Sequence, residues 1–560
     1  MTAIDDALAR LRETDAVTRA GIAADGPLGA GIREAGLGFA AVGAGREGAG
    51  LGSAALEDRW HRAIAELDTC IAPTGGAMLL HEGGVYRGAW LESTATINAD
   101  ILDRFAPSVT RATHLAFAAA QRGDGLLPYK LTDDGPAFTQ IQTVSPLARG
   151  VWTHYLRTGR DRDYLATMYA AMARNDAWLA AHRDTRGTGG VEAFCTFDTG
   201  HDLSPRFWHV PERCFRGDAA RYDPGVPLLP FVAPDLTANV ACQREYLALI
   251  AAELGEAAEP WREKAAASRE ALFAHCHDER DGMFYDRAAD GTQVRVASDV
   301  LLRVLACEMA DDALFAASLE NDLMHTGRFL SAAGFTSIAM DDPRFDGDHT
   351  RNSWAGPVNA LTLIRAAHAF ERHGRVAELA LSRAGLLAAM AGHDRFAQCY
   401  DPWSADAGYT EAYSPSILWL LDTLERDAGI LPLPDGRIWL SGLTPTRLDH
   451  GHAAAATAAS RTVHGVHWEL AGDDDTIVVH RDGAEWLRFP RGWRVEVSAD
   501  GDIAAVICLA AGRVAGALRL SAGTSGGASI DLDLSPNDRV QITADRPGQV
   551  TRPGFTPPRS

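Results

Sequence analysis

The stretch FDTGHDLSPRFW, Phe197 to Trp208, sets two carboxylates, an imidazole and a guanidinium among three aromatic rings. Gly200 and Pro205 interrupt any regular element, so the stretch reads as a loop. Two uses of it are open. Loop aspartates commonly bond nearby backbone, and an Arg206–Asp198 pair would lock such a turn. In the other reading Asp202 points into a cleft, where Phe207 and Trp208 strip it of water and raise its pKa, as an acid catalyst needs. An Arg206–Asp202 pair would work against that second use.

Other chemistry-bearing groups are weaker signals. His275, His277 and Asp278 in HCHDERDG read as a structural turn, and no catalytic metal or cofactor is expected. The eight cysteines are scattered without CxxC pairs, which points to free thiols in a reducing cytoplasm. Gly43–Gly48 matches GxGxxG, but no parallel-strand pattern surrounds it, so it reads as a glycine-rich connection.

The elements that must position these groups are mostly helices. From 54 to 430, apolar residues recur at helical spacing, as in SAALEDRWHRAIAELDTCI and LTANVACQREYLALIAAELG. Ten to twelve helices are expected, in pairs. Joins within a pair are short and marked by glycine (RTGRDRD, HGRVAE). The loops between pairs are longer and rich in Trp, Asp, Gly and Pro, where function sits on a rigid scaffold. Residues 1–53 read as a helix followed by a glycine-rich extension. Residues 431–545 alternate in strand lengths and read as a β-sandwich. The proline-rich 546–560 reads as an extended or disordered tail.

The chain has 560 residues, 53 basic and 74 acidic, for a net charge of −21. That balance argues against a nucleic-acid partner. No apolar run reaches the roughly 18 residues of a membrane span, and the charged N-terminus lacks a signal-peptide core. A cytoplasmic protein is expected, with homo-oligomerisation left open.

Several segments resemble six-hairpin (α/α)6 glycosidases. GHDLSPRFW is similar to the SGxDxSPRW loop of glycoside hydrolase family 63 and to a trehalase loop. RGAWLEST, IQTVSPLARGVWTHYLRTG, NSWAGPVNALTLI and CYDPWSADAGYTEAYSPSILWLLD resemble further segments of those enzymes, in matching order. The mannosylglycerate and glucosylglycerate hydrolases are the nearest group. The resemblance implies a mainly α fold, an (α/α)6 barrel with a C-terminal β-sandwich. It implies an inverting, exo-acting glycosidase for a small carbohydrate, with Asp202 as general acid. Trp90 and Trp354 would stack on sugar faces, as would Trp403. Glu92, in place of the family's Asp, and Gln142 would bond hydroxyls. Asp198, Arg206, Gln398 and Tyr400 complete the implied substrate contacts. Ala355 replaces an arginine, so a charged glycerate group is not required.

One departure matters. Inversion needs a base about 6.5–9.5 Å from the acid, and the family's base glutamate is Gln398 here. Glutamine accepts no proton from water. Three readings follow. Another acid near 401–411 serves, Glu411 first and Asp401 or Asp406 after it. Or phosphate attacks, as in an inverting phosphorylase, with Arg351, Arg395 and His393 as candidate partners. Or the cleft binds sugar without catalysis.

Overall fold

The computed structural model describes residues 2–43, 53–445, 454–521, 529–543 and 546–560. Six helical segments pack in sequence as a closed ring. These are Asn98–Leu102 (continuing the π-helical turn Ser93–Ile97), Leu147–Arg157, Pro234–Leu254, Val300–Ala306, Ala360–Arg372 and Ser414–Ala428. Each packs on the next, and the sixth packs back on the first. The helices Ser53–Thr69, Pro107–Ala119, Arg162–His182, Glu259–His275, Asp312–Ser318 and Val376–Met390 alternate with them along the chain. Inner helices are buried nearly all round: Pro234–Leu254 buries Leu236, Ala238, Val240, Ala241, Leu247 and Ile250. The periodicity of that helix is therefore weak and its composition apolar. Caps set its limits. Pro234 opens its helix at the first position and Gly255, with φ 81°, closes it in the left-handed conformation.

Beyond the sixth inner helix the chain forms mainly two antiparallel sheets, of seven and six strands, with a shared apolar core that includes Ile438, Trp468, Leu470, Ile477, Trp493 and Val495. The strand Gly38–Gly43 is an edge of the seven-stranded sheet, paired antiparallel with Ala454–Val463. The N-terminal segment is thus part of the C-terminal sheets, and the glycine motif begins at the end of an antiparallel strand. Its residues 44–48 lie outside the described residues. The proline-rich tail is ordered at both ends. Arg546–Thr551 pairs with Arg539–Thr543, and Arg559 exchanges backbone bonds with Met324 and Thr326. No helix among the described residues is long and apolar enough to cross a membrane.

Candidate active site

The segments leading into the N-termini of the inner helices supply a pocket of about 170 Å³. Glu82, Tyr86, Trp90 and Glu92 come from the segment before the first inner helix, and Gln142 from that before the second. Phe197, Gly200 and Asp202 precede the third, Asn352 and Trp354 the fifth, and Gln398 the sixth. Such loops carry chemistry because the helices behind them are fixed.

The 197–208 loop is held at nearly every polar residue except Asp202. Asp198 is fully buried and accepts from Arg183 at 2.5 and 3.1 Å, from Phe194 N at 2.7 Å and from Ile141 N at 3.0 Å. His201 faces Asp299 at 3.1 Å. Arg206 donates to both Asp286 oxygens at 2.8 Å and to Asp235 at 2.9 and 3.1 Å. Arg303 donates to Thr199 O at 2.7 Å, and Trp354 N to Asp202 O at 3.0 Å. The turn itself needs left-handed backbone at Gly200 (φ 67°) and Leu203 (φ 59°). A Cβ on Gly200 would come 2.5 Å from Glu92 Oε2, so only glycine fits.

Asp202 is what this frame presents. Its carboxyl lines the pocket and accepts from Asn352 Nδ2. Burial, then the negative charge of Glu92, push its pKa up to about 7 against the pull of the Asn352 bond. Glu92 is clamped: Arg365 reaches Oε1 at 2.6 Å and Gln142 Nε2 donates to Oε2 at 2.9 Å. Gln142 holds a positive φ of 41° to do so. Trp354 is fully buried in the wall, with the Arg303 guanidinium 4.7 Å from its ring centre. Trp90 meets Tyr86 edge-on and carries Lys130 Nζ 4.4 Å from its ring centre.

The structure therefore brings together Asp202, Trp90, Glu92, Gln142, Trp354 and Gln398. It does not bring in five other expected site residues. Asp198 and Arg206 are consumed by buried ion pairs with Arg183 and with Asp235 and Asp286, and do not pair with each other. Tyr400 is core, bonded to Ser416 and stacked on His393. Glu411 is exposed and lines a wider outer groove of about 1140 Å³, with Arg87, Asp133, Asp134 and Arg395, which meets the pocket at Tyr86, Tyr129 and Lys130. The turn 409–412 aims its side chain outward, because the backbone of Glu411 and Ala412 packs against Gly83 and Gly84. Glu411→Ala should accordingly leave kcat within about twofold of wild type in a steady-state assay, since a solvated surface carboxylate outside the pocket has little to contribute. Trp403 is likewise exposed, packed on Phe345.

Residues not foreseen complete the pocket: Glu82, Tyr86, Tyr129, Lys130, Asn352 and Arg213. Glu82 is buried, accepts from Tyr413 Oη at 2.7 Å, and has its pKa pushed up to about 8, mainly by burial. Tyr86 Oη donates to Gln398 Oε1 at 2.6 Å. All eight cysteines are free and buried. Among the described residues one group has metal-like spacing, Cys195, Asp198 and Cys214, but Arg183 already neutralises Asp198 there. His277 and Asp278 form a hairpin with Met283 and Phe284, Asp278 pairing with Arg280 and Arg295.

Residues 86–416, more than half of the chain, match the model of the mannosylglycerate hydrolase MGH1-like glycoside hydrolase domain. The chain belongs to this family. Membership places it among the glycosidases, and the pocket described above draws almost entirely on the matched region. The mannosylglycerate hydrolase of Thermus thermophilus, solved with Tris and D-glycerate, is 20% identical with a TM-score of 0.55, covering 65% of this chain and 99% of its own. The same enzyme with glucose gives 20% and 0.53, over 64% and 98%. A structure titled sialidase is 14% identical with a TM-score of 0.57, over 83% of this chain and 42% of that one. These likenesses speak to the fold. No curated protein matched.

Proposed function

We propose that this family member hydrolyses the glycosidic bond of a small glycoside from its non-reducing end, with inversion, and that Asp202 is the general acid. The observation that carries this reading is the Asp202 carboxyl on the wall of a small pocket, with its pKa pushed up to about 7 by burial. Such a group keeps its proton near neutral pH, and a glycosidic oxygen leaves only if it is protonated. The pocket has the room of roughly six waters at ~30 Å³ each, the scale of one sugar ring. Trp90 and Trp354 offer ring faces, and Glu92 and Gln142 offer hydroxyl acceptors and donors. Tyr86, Tyr129 and Lys130 line both this pocket and the outer groove, so the leaving group has a wide, polar exit. The related Thermus enzyme's name makes a mannosyl glycoside the first to try, and its structure with glucose adds glucosides. Ala355 removes the arginine that the family resemblance would set beside the leaving group, so an aglycone without a carboxylate is within scope.

The test is a panel of 4-nitrophenyl glycosides of glucose and mannose in both anomers, alongside mannosylglycerate, with the product anomer followed by proton NMR. A first-formed sugar of inverted configuration is expected. Retention, or no release from any member, overturns the reading.

A second reading has an observation of its own. Gln398 stands at the family's base position, and Lys130 and Arg213 line the same pocket without an ion pair among the described residues. Phosphate held by these cations would attack without a base. Release that requires inorganic phosphate and yields sugar phosphate would favour it.

A further inference from the structure

Within the hydrolase reading, the pocket still lacks an activating base, since Gln398 accepts no proton and Glu411 faces the outer groove. Two pocket carboxylates besides Asp202 are available. Glu92 is ruled out by its partners: Arg365 engages one oxygen and Gln142 the other. Both of its oxygens are thus already engaged by donors.

Glu82 is placed differently. Asp202 belongs to the segment feeding the third inner helix, and Gln398 and Tyr413 to the segment feeding the sixth. In a closed ring of six these lie opposite each other. Glu82 joins that opposite wall. Its side chain accepts from Tyr413 Oη at 2.7 Å, and its backbone carbonyl accepts from Ser414 N, at the start of the sixth helix, at 2.8 Å. Tyr86, four residues on, donates to Gln398 Oε1 and packs against the Tyr413 ring at 5.8 Å. Glu82–Tyr413 and Tyr86–Gln398 are thus two hydrogen-bonded pairs joined by the Tyr86–Tyr413 ring contact, and together they make the wall opposite the Asp202 segment.

We propose that Glu82 is the general base of this chain, a carboxylate moved from the 398 position to the neighbouring segment, with Gln398 orienting the attacking water. The step balances. Glu82 takes a proton from water as the water oxygen bonds the anomeric carbon. The carbon–oxygen bond to the leaving group breaks, and Asp202 gives its proton to that oxygen. Burial gives Glu82 a pKa of about 8, which makes it a strong acceptor once ionised.

The proposal rests on the hydrolase reading, and the experiment separates the two. Wild type, Glu82→Gln and Asp202→Asn are assayed on the glycoside that wild type cleaves, with and without sodium azide. Glu82→Gln should lose about a thousandfold in kcat, with KM within about threefold. Azide should restore turnover in that variant alone and yield a glycosyl azide of inverted configuration, because a small anion fills the role of the activated water. Turnover of Glu82→Gln within fivefold of wild type overturns the assignment while leaving the hydrolase reading standing. So does a folded, slow variant that azide does not rescue, for then Glu82 only supports the wall. Should Glu82→Gln fail to fold, Glu82→Asp answers instead: a kcat drop above tenfold at near-constant KM supports the base role, and an unchanged kcat overturns it. Wild type that cleaves nothing without phosphate removes the hydrolase reading and this proposal together.

Discussion

Asp202→Asn lowers kcat for an unactivated glycoside by about a thousandfold and leaves sugar binding in place. General acid catalysis contributes roughly 10²–10⁴-fold, and an alkoxide leaving group puts this case toward the upper end. The amide keeps the shape and the Asn352 contact but has no proton to give. A 2,4-dinitrophenyl leaving group needs little protonation, so the same variant should lose far less on that substrate. The pH profile follows with its sign. As the proposed acid Asp202 works protonated, with its pKa pushed up to about 7, and as the proposed base Glu82 works ionised, with its pKa pushed up to about 8, so wild-type activity on unactivated substrates peaks between those values and falls on either side. Stability responds to pH as well. The folded pKa lies above the ordinary aspartate value of 3.8, so the stability that the protonated group brings is fully present below pH 4 and is lost as pH rises to about 7. At pH 8 Asp202→Asn should therefore be more stable than wild type, by about 1–2 kcal/mol in urea denaturation, and at pH 4 equal to it. A variant within tenfold of wild type on the unactivated substrate removes Asp202 from the chemistry.

Arg206→Met destabilises the fold by about 3–5 kcal/mol. Arg206 is buried between Asp235 and Asp286, with four donor contacts between 2.8 and 3.1 Å and His201 at 2.5 Å. Removing the guanidinium leaves Asp286 in low dielectric without a counter-charge among the described residues, and Asp235 with only the longer Arg303 contact at 3.4 Å. Lysine is no substitute, because a point charge cannot bridge both carboxylates bidentately. The damage reaches the site because Arg206 ties the acid loop to the start of the third inner helix at Asp235 and to the strand at Asp286. Chemical denaturation should show the loss directly. A midpoint shift worth less than about 1 kcal/mol would mean that water or a rearranged partner already compensates those carboxylates.

Particular residues show what the sequence carried. Helical periodicity and glycine-marked joins were enough for the paired helices, because each pattern is local. The strand Gly38–Gly43 was not legible: its partner lies more than 400 residues away, and nothing in GFAAVG encodes that pairing. Within the site, residues matching a motif by type were found, among them Asp202, Glu92, Gln142 and Gln398. Side-chain direction was not. Asp198 and Asp202 share one loop, and only the short 3₁₀ turn at Thr196–Asp198 and the left-handed Gly200 and Leu203 send one inward to Arg183 and the other into the pocket. Glu411 misled for the same reason, as its loop was right and its direction wrong. Glu82 carries a local signal of its own in the sequence. It is a carboxylate directly before Gly83 and Gly84, both with positive φ, and just ahead of Tyr86 and Trp90.

The first strand's place in the distant sheet also bears on how the chain is made. During translation the segment up to residue 43 leaves the ribosome long before Ala454–Val463 exists. At roughly 5–20 residues per second, about 20–80 s pass while the apolar side of the helix Ala3–Glu13 has no sheet to cover it. The barrel helices can assemble in that interval, so the opening segment must wait untangled beside a half-built body. Nascent chains stalled near residue 440 should therefore be cut by trypsin at Arg10 and Arg12, and full-length released chains should resist; equal protection in both would show that another surface shelters the segment first.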